Sequence, residues 1–217
     1  MSVVFGPDAY TVGANINLDA YPSGAPDYTM AYGASANMVV NAANDRVQIP
    51  DTADWRVGRC SDATAPTGDQ EVSMDGNNTA FDEALCPALR CATSGTLTNF
   101  YLCFLNVLSA SEIQIYRFDD GVDTLIASRD SGVTGAGTRV FRGRATGTNP
   151  VALEFQVGAT TTLTFSDSGA TRKQTGTPGL GGFNGTANVV WRDNFQIDDL
   201  IADATTRRYS LTLTGVG

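Results

Sequence analysis

The side chains that perform acid–base chemistry are few in this sequence and stand far apart. Histidine is absent, and the four glutamates are Glu71, Glu83, Glu112 and Glu154. Two carboxyl groups that act as a catalytic acid and a nucleophile or base must flank the same bond. Glu71 and Asp75 come nearest to such a pair, but their spacing is more typical of charges on a solvated strand face. We therefore expect no catalytic residues and a protein that is not an enzyme.

Three aspartates in one short segment, Asp119, Asp120 and Asp123, form a candidate cation site. Carboxylate and backbone carbonyl oxygens are the ligands that Ca²⁺ prefers. The alternative is a hairpin turn, because Asp and Gly supply the backbone conformations that tight turns require. Apart from this calcium hypothesis, no cofactor is expected.

Aromatic rings beside amide or carboxylate groups form a second type of candidate site, a sugar-binding surface. Trp191 is the first choice because Arg192 and Asp193 follow it, and Trp55 and Tyr116 are the other residues selected. Tyr101 and Tyr209 belong to the same initial set. The alternative for each ring is a position in the hydrophobic core, since aromatic residues supply much of a sandwich interior.

The charge balance excludes one class of partner. The chain has 14 Lys and Arg against 23 Asp and Glu, a net charge of -9, with no basic cluster. Nucleic-acid binding needs a clustered positive surface, so no such partner is expected. Residues 1–8 show no secretory signal pattern, and the longest apolar run, residues 100–107, is far shorter than the about 20 residues of a membrane span. We expect neither a signal peptide nor a membrane partner.

The four cysteines, Cys60, Cys86, Cys91 and Cys103, match no zinc or redox spacing. Free buried thiols are the favoured interpretation, because unpaired Cys packs as a small apolar side chain. At least one disulfide is the alternative. In that case Cys91 and Cys103, on either side of a predicted turn, are expected to be cross-strand neighbours.

Short apolar segments bounded by turn residues recur along the chain, which is typical of an all-β sandwich or barrel. Val151–Val157 alternates large apolar residues with polar ones, as a half-buried strand does. Residues 100–107 are apolar at nearly every position, which predicts a central strand covered on both faces. Residues 112–118 and 124–127 complete a three-stranded meander with it.

The other predicted strands are residues 2–5, 28–32, 38–41, 46–49, 55–59, 71–74, 88–92, 139–144, 163–165, 188–198 and 208–213. Residues 176–185 are so rich in glycine that they predict a long loop. Residues 80–89 and 198–204 are predicted to hold at most a turn of helix, and Pro87 argues against a longer first one.

Three stretches resemble a known family. Residues 3–8 precede an aromatic strand at Tyr28, Tyr116-Arg-Phe leads through an Asp/Gly turn to Thr124-Leu-Ile, and a Gly-Leu-Gly turn precedes Asp193-Asn194-Phe195. Together they resemble the concanavalin-A-like, laminin-G-like jelly-roll sandwiches found in tailed-phage virion proteins. The resemblance implies a single jelly-roll domain over residues 1–206, with residues 207–217 as a C-terminal strand or tail. Tyr28 departs from it, since the family usually has Trp there.

The resemblance also implies neighbouring terminal strands, which would bring Asp8 close to Asp193 or Asn194 as a second candidate Ca²⁺ site. Because the same fold serves capsid proteins, glycan-binding modules and glycan-active enzymes, it does not choose among them. The leading hypothesis is a non-enzymatic virion protein, a capsid decoration or tail appendage assembled in the host cytoplasm.

Such a protein is expected to be a homo-oligomer, with Arg207 and Arg208 contacting other virion proteins. The alternative is a lectin-like adhesion module that binds surface glycan. A glycoside hydrolase or polysaccharide lyase that depends on Glu71 is the third possibility.

Overall fold

The structure is a computed structural model of the 217-residue chain, and it describes residues 2–4, 29–32, 39–41, 46–49, 54–59, 67–78, 84–93, 97–106, 111–133, 135–159, 161–184 and 190–199. These residues form fifteen strands and no helix: β1 Ser2–Val4, β2 Thr29–Tyr32, β3 Val39–Asn41, β4 Arg46–Ile49, β5 Asp54–Arg59, β6 Gln70–Asn78, β7 Ala84–Cys91, β8 Phe100–Asn106, β9 Glu112–Asp119, β10 Val122–Asp130, β11 Gly137–Thr146, β12 Val151–Val157, β13 Thr161–Asp167, β14 Thr177–Asn184 and β15 Val190–Asp199. Within this part of the chain, nothing forms a helix long and apolar enough to cross a membrane.

The strands make two antiparallel sheets. One sheet has eight strands in the order β13-β12-β11-β6-β15-β4-β3, with β1 also paired to β15, and the other has seven in the order β10-β9-β8-β7-β14-β5-β2. The prediction of an all-β, two-sheet antiparallel sandwich is confirmed. The boundary at residue 206 stays a prediction, because residues 200–217 lie outside the described residues.

The main hydrophobic core lies between the two sheets. It joins Tyr101, Cys103 and Leu105 of β8 to side chains of the eight-stranded sheet such as Phe141 and Phe155, and all five are fully buried. The Phe141 and Phe155 rings stack with their centroids 6.3 Å apart. Each buried ring of this kind contributes about 1.5–3 kcal/mol to stability through removal of apolar surface from water. This layer holds the two sheets together.

The predicted meander and hairpin are confirmed. In β8 every residue from Phe100 to Leu105 is buried, and β8 lies third from one edge of its sheet. Strands β9 and β10 pair beside it and are joined by a two-residue turn, Asp120-Gly121, with φ of 51° and 85°. Such φ values are typical of the hairpin turns that favour Asp-Gly. In β12 the odd-numbered residues are buried and the even-numbered ones are more exposed, as the alternation predicts.

The prediction of a loop over residues 176–185 is wrong. Thr177–Asn184 is strand β14, which pairs with β7 on one side and β5 on the other. A Cβ atom at Gly181 would lie 2.6 Å from Cγ2 of Val57 and 2.8 Å from the carbonyl oxygen of Arg56. Glycine occurs here because the neighbouring strand approaches too closely for a side chain. Such a close approach is a common reason for glycine inside a strand.

Two other predictions are corrected. Ala84–Cys91 is strand β7, so residues 84–89 contain no helical turn. Cys86, Cys91 and Cys103 are buried thiols that form no disulfide, in agreement with the favoured interpretation, while Cys60 lies outside the described residues. Cys91 and Cys103 are not neighbours, because Cys103 packs in the core between the sheets and Cys91 packs with the separate cluster around Phe100.

The two terminal strands of the described sandwich lie side by side, as the resemblance implies. Strand β1 pairs antiparallel with β15, with Val3 opposite Ile197. Strand β15 runs through Asp193-Asn194-Phe195 and occupies an interior position between β6 and β4. Its pairing with β6 shifts register between Asp193 and Gln196. The predicted closing strand is therefore confirmed.

Candidate functional site

The outer face of the seven-stranded sheet carries a second group of apolar side chains. Its buried members come from this sheet alone, apart from Leu97 in the loop before β8, and they include Val57, Ala88, Phe100, Leu102 and Phe118. They alternate with the residues that face the other sheet. We call this surface, together with Trp55 and Tyr116 at its margin, the aromatic face.

Trp55 contacts more rings than the other described residues of the aromatic face. Its ring centroid lies 5.0 Å from that of Phe104, 5.5 Å from Tyr116, 5.6 Å from Phe183 and 6.0 Å from Phe118. The Trp55 ring plane is inclined by 68° to 83° to the three phenylalanine rings, the edge-to-face arrangement that aromatic pairs prefer, and by 57° to the Tyr116 ring. Trp55, Tyr116 and Phe183 are half-buried, whereas Phe104 and Phe118 are buried. The cluster therefore has both a packed base and accessible ring surface.

A row of polar groups runs along β9 beside these rings. The Tyr116 hydroxyl donates to Oε1 of Gln114 at 3.0 Å, and the Gln114 amide donates to Oε2 of Glu112 at 2.9 Å. The three residues occupy every second position of β9. They share one face of the strand because side chains two positions apart point the same way. Glu112 and Tyr116 are half-buried, and Gln114 is buried. The hydrogen bonds hold a hydroxyl, an amide and a carboxylate in fixed orientations.

Strand β10 continues this surface towards the sheet edge. Leu125 lies directly opposite Tyr116, and Ser128 lies opposite Gln114. Leu125 is 46% exposed, and Ser128 is exposed. Towards the sheet edge, the aromatic face thus presents an apolar patch of Tyr116 and Leu125 bordered by polar groups.

The structure brings two of the three predicted sugar-binding residues together. Trp55 comes from β5 and Tyr116 from β9, and their ring centroids lie 5.5 Å apart. Trp191 belongs to β15 in the other sheet, and its side chain lies outside the described part of the chain. Gln114 was missed, although its place in the alternating pattern of β9 marks it as a neighbour of Tyr116.

The three aspartates of the β9–β10 hairpin do not converge. The Asp119 carboxylate is bound by Arg117 Nε at 2.8 Å, by the Thr171 hydroxyl at 3.0 Å and by Nζ of Lys173. Asp120 lies in the turn and accepts from Asn99, while Asp123 stands opposite Phe118 on the outer face. No three His, Cys, Asp or Glu side chains cluster among the described residues. Calcium binding at this hairpin stays a prediction.

The environment of Asp119 is an internal ion network. Burial alone would raise the pKa of Asp119, but hydrogen bonds from Lys173, Arg117 and Thr171 outweigh it and hold the pKa below its ordinary value. Arg117 also contacts Asp167 at 3.2 Å. Lys173 is the only lysine in the chain. The network gives these charges a structural role, the anchoring of residues 168–176 to the sandwich.

The geometry does not favour the hydrolase alternative. Arg144 donates to Oε2 of Glu71 through Nε at 2.8 Å and through Nη2. The carboxylate proposed as catalytic is therefore held in an ion pair. Glu71 and Asp75 are four residues apart on strand β6. At a rise of about 3.3 Å per residue their Cα atoms lie about 13 Å apart.

The remaining predicted residues lie elsewhere. Asp8, Arg207 and Arg208 are outside the described residues, and Asp193 is on β15, where only its backbone position is described. Asp193 lies opposite Asp75 of β6. The second calcium hypothesis and the interaction role of the C-terminal segment both stay predictions.

No protein-family model matches the sequence, and neither does any curated protein. Solved structures do share the fold. The carbohydrate-binding module CBM66 from Bacillus subtilis superposes with a TM-score of 0.58 at 12% identity, over 80% of this chain and 96% of that chain. The metal-free carbohydrate recognition domain of Emp46p gives 0.55 at 9% identity, over 79% and 87%. The exoplasmic/lumenal domain of VIP36, bound to Ca²⁺ and Man3GlcNAc, gives 0.53 at 10%, over 81% and 85%.

Similarity at these identities establishes architecture and leaves function open. The predicted jelly-roll fold is confirmed, whereas nothing in these similarities supports the predicted relation to tailed-phage virion proteins. The chain therefore has the jelly-roll sandwich fold that a carbohydrate-binding module and a carbohydrate recognition domain also have.

Proposed function

We propose that this protein binds carbohydrate without modifying it, and that the aromatic face is the binding surface. The observation that carries the proposal is the pairing of half-buried Trp55 and Tyr116, 5.5 Å apart, with the hydrogen-bonded row Tyr116–Gln114–Glu112. A sugar ring has an apolar face of C–H groups and an edge of hydroxyls. Aromatic rings match the first, and oriented amide and carboxylate groups match the second.

The fold supports this proposal. CBM66 is named as a carbohydrate-binding module, the Emp46p domain as a carbohydrate recognition domain, and the VIP36 structure contains a mannose-based glycan. Among the three functions considered from the sequence, the lectin-like alternative is the one that these similarities favour. Binding without catalysis agrees with the ion pair that Arg144 forms with Glu71.

The test is affinity electrophoresis through gels that contain soluble β-glucan, mannan, xylan or fructan. Tyr116→Phe and Glu112→Gln remove single polar groups from the row and leave its packing in place. Trp55→Ala is less suitable, because four rings pack against Trp55 and truncating such a residue costs about 3–5 kcal/mol of stability. Asp75→Asn is the matched control, since it makes the same kind of change in the other sheet.

We expect at least one polysaccharide to retard the native protein and the Asp75→Asn variant equally. Tyr116→Phe and Glu112→Gln should weaken that binding about tenfold, the effect of one hydrogen bond to a charged or oriented group. Retardation by none of the four polysaccharides would count against the proposed function. Loss of binding on Trp191→Ala, with both variants of the row unaffected, would place the site on the other sheet.

Three further properties remain proposals without support from the fold: location in a virion, self-association and contacts with other virion proteins. They are compatible with glycan binding, because an appendage can attach a particle to surface polysaccharide. Detection of the protein in purified phage particles by mass spectrometry would support this setting, and its absence from particles would contradict it.

A further inference from the structure

The outer face of the eight-stranded sheet contains a groove that is separate from the aromatic face. It has a volume of about 430 Å³ and lies over β11, β12 and β13. Its lining combines apolar surface from Ala152, Leu153 and Phe165 with the polar side chains of Arg144, Thr146, Glu154, Thr164 and Ser166. This volume lies within the about 300–1,000 Å³ of typical small-molecule sites. The core separates the groove from Trp55 and Tyr116, because the two surfaces are the opposite outer faces of the sandwich.

Two charged residues of the groove are held in place by partners that do not line it. Arg144 is fixed by Glu71, which accepts from its Nε and Nη2 atoms. Glu154 is fixed by Arg142, whose Nη2 donates to Oε1 at 3.3 Å and also contacts Gln156. Support of this kind orients the groups that face a ligand before the ligand arrives.

The supporting contacts leave ligand-binding atoms free. Among the described residues, Nη1 of Arg144 and Oε2 of Glu154 have no protein partner. Arg144 and Glu154 are directly opposite each other on paired strands, and Thr164 is opposite Glu154 on the next strand. A donor, an acceptor and a hydroxyl therefore stand in one row across three strands, at an inter-strand spacing of about 4.8 Å.

The charges in and around the groove cancel. Arg144 pairs with Glu71 and Arg142 pairs with Glu154, so the four residues sum to zero. The hydroxyls of Thr146, Thr164 and Ser166 add donors and acceptors without charge. The groove therefore offers no net charge to attract an anionic or a cationic ligand, whereas an uncharged ligand with adjacent hydroxyl groups matches one free donor and one free acceptor.

We propose that this groove is a second binding site, and that it takes a segment of an uncharged oligosaccharide. One hydroxyl of a neighbouring pair accepts from Nη1 of Arg144, and the other donates to Oε2 of Glu154. The Thr164 hydroxyl binds the adjoining ring. With two sites on opposite faces, one molecule would link two polysaccharide chains.

The groove can be tested by recording amide NMR spectra of the full chain during titration with cellohexaose, maltohexaose and xylohexaose, with hexagalacturonic acid as the charged probe. We expect a neutral hexasaccharide to shift the signals of residues 144, 154 and 164. Thr164→Val should weaken this binding about tenfold, and so should Arg144→Lys, which loses the forked guanidinium. Thr124→Val, an exposed threonine of β10 in the other sheet, is the matched control and should leave it unchanged.

Three results would overturn the inference: no shift with any of the neutral hexasaccharides, equal affinity in Thr164→Val and the native protein, or tighter binding of hexagalacturonic acid than of the neutral probes. Thr164 is exposed, so its substitution tests the groove without a risk to folding. The Trp55 indole signal reports separately on the aromatic face. Failure of one site is thereby distinguished from failure of the other.

Discussion

The hydroxyl of Tyr101, on β8 of the seven-stranded sheet, donates a 2.7 Å hydrogen bond to the carboxylate of Asp167 at the end of β13 in the other sheet. The same hydroxyl accepts from the backbone N–H of Lys173 at 2.9 Å. Tyr101 is fully buried, and the pKa of its hydroxyl is raised by burial and by the hydrogen bond to Asp167. One side chain thus ties the two sheets to each other and to the segment of residues 168–176.

Removal of the Tyr101 hydroxyl should destabilise the fold. Tyr101→Phe leaves the ring in the core but deprives Asp167 and the Lys173 N–H of a buried partner, at an expected cost of about 1–3 kcal/mol in the free energy of unfolding. Urea denaturation measures this difference. Tyr116→Phe, which removes a half-buried hydroxyl, is the control and should cost less; equal losses in the two variants would contradict the role given to Tyr101.

Stability should fall in acid through Asp119. Its pKa in the folded protein lies below the ordinary value of 3.8, so the folded state binds this proton less readily than the unfolded chain. The stabilisation is therefore present above about pH 4 and is lost as the pH falls through the folded-state pKa. Urea denaturation between pH 7 and pH 2 should show a smaller decrease for Asp119→Asn than for the native protein, and parallel decreases would refute the assignment.

The close approach of β14 and β5 should make Gly181 sensitive to substitution. Gly181→Ala places a methyl group 2.6 Å from Val57 and 2.8 Å from the Arg56 carbonyl, so the sheet must shift. We expect a loss of about 1–3 kcal/mol or more, as for other overpacked sites. Gly68→Ala is the control because its methyl group meets no atom within 4 Å. Thermal unfolding of both variants provides the comparison, and equal midpoints would show that β14 is not confined in this way.

Cys103 should be inert in the folded protein. Burial raises the pKa of its thiol well above the ordinary value, with a smaller contribution from Cys86 nearby, and the thiolate is the reactive form. Iodoacetamide at neutral pH should leave Cys103 unmodified in the native protein and modify it after denaturation, as measured by peptide mass spectrometry. Rapid modification of Cys103 without unfolding would contradict its position in the core.

Much of the fold was predictable because it depends on local pattern. The alternation in Val151–Val157 and the continuous apolar run of β8 follow from which faces of a strand are buried, and Asp120-Gly121 marks a hairpin through its backbone preference alone. Strand β14 was predicted to be a loop because glycine is intrinsically flexible. Only the position of β5 beside it shows why glycine is needed in this strand.

The sequence by itself determined that this chain is an all-β sandwich, that it contains no histidine, and which aromatic residues were worth testing. Tertiary structure alone decided that Trp55 and Tyr116 meet, that Asp119 is occupied by Arg117 and Lys173, and that Arg144 and Glu154 line one groove. The reason is physical: hydrophobic periodicity encodes which face of a strand is buried, whereas strand order and register determine which residues from distant strands become neighbours.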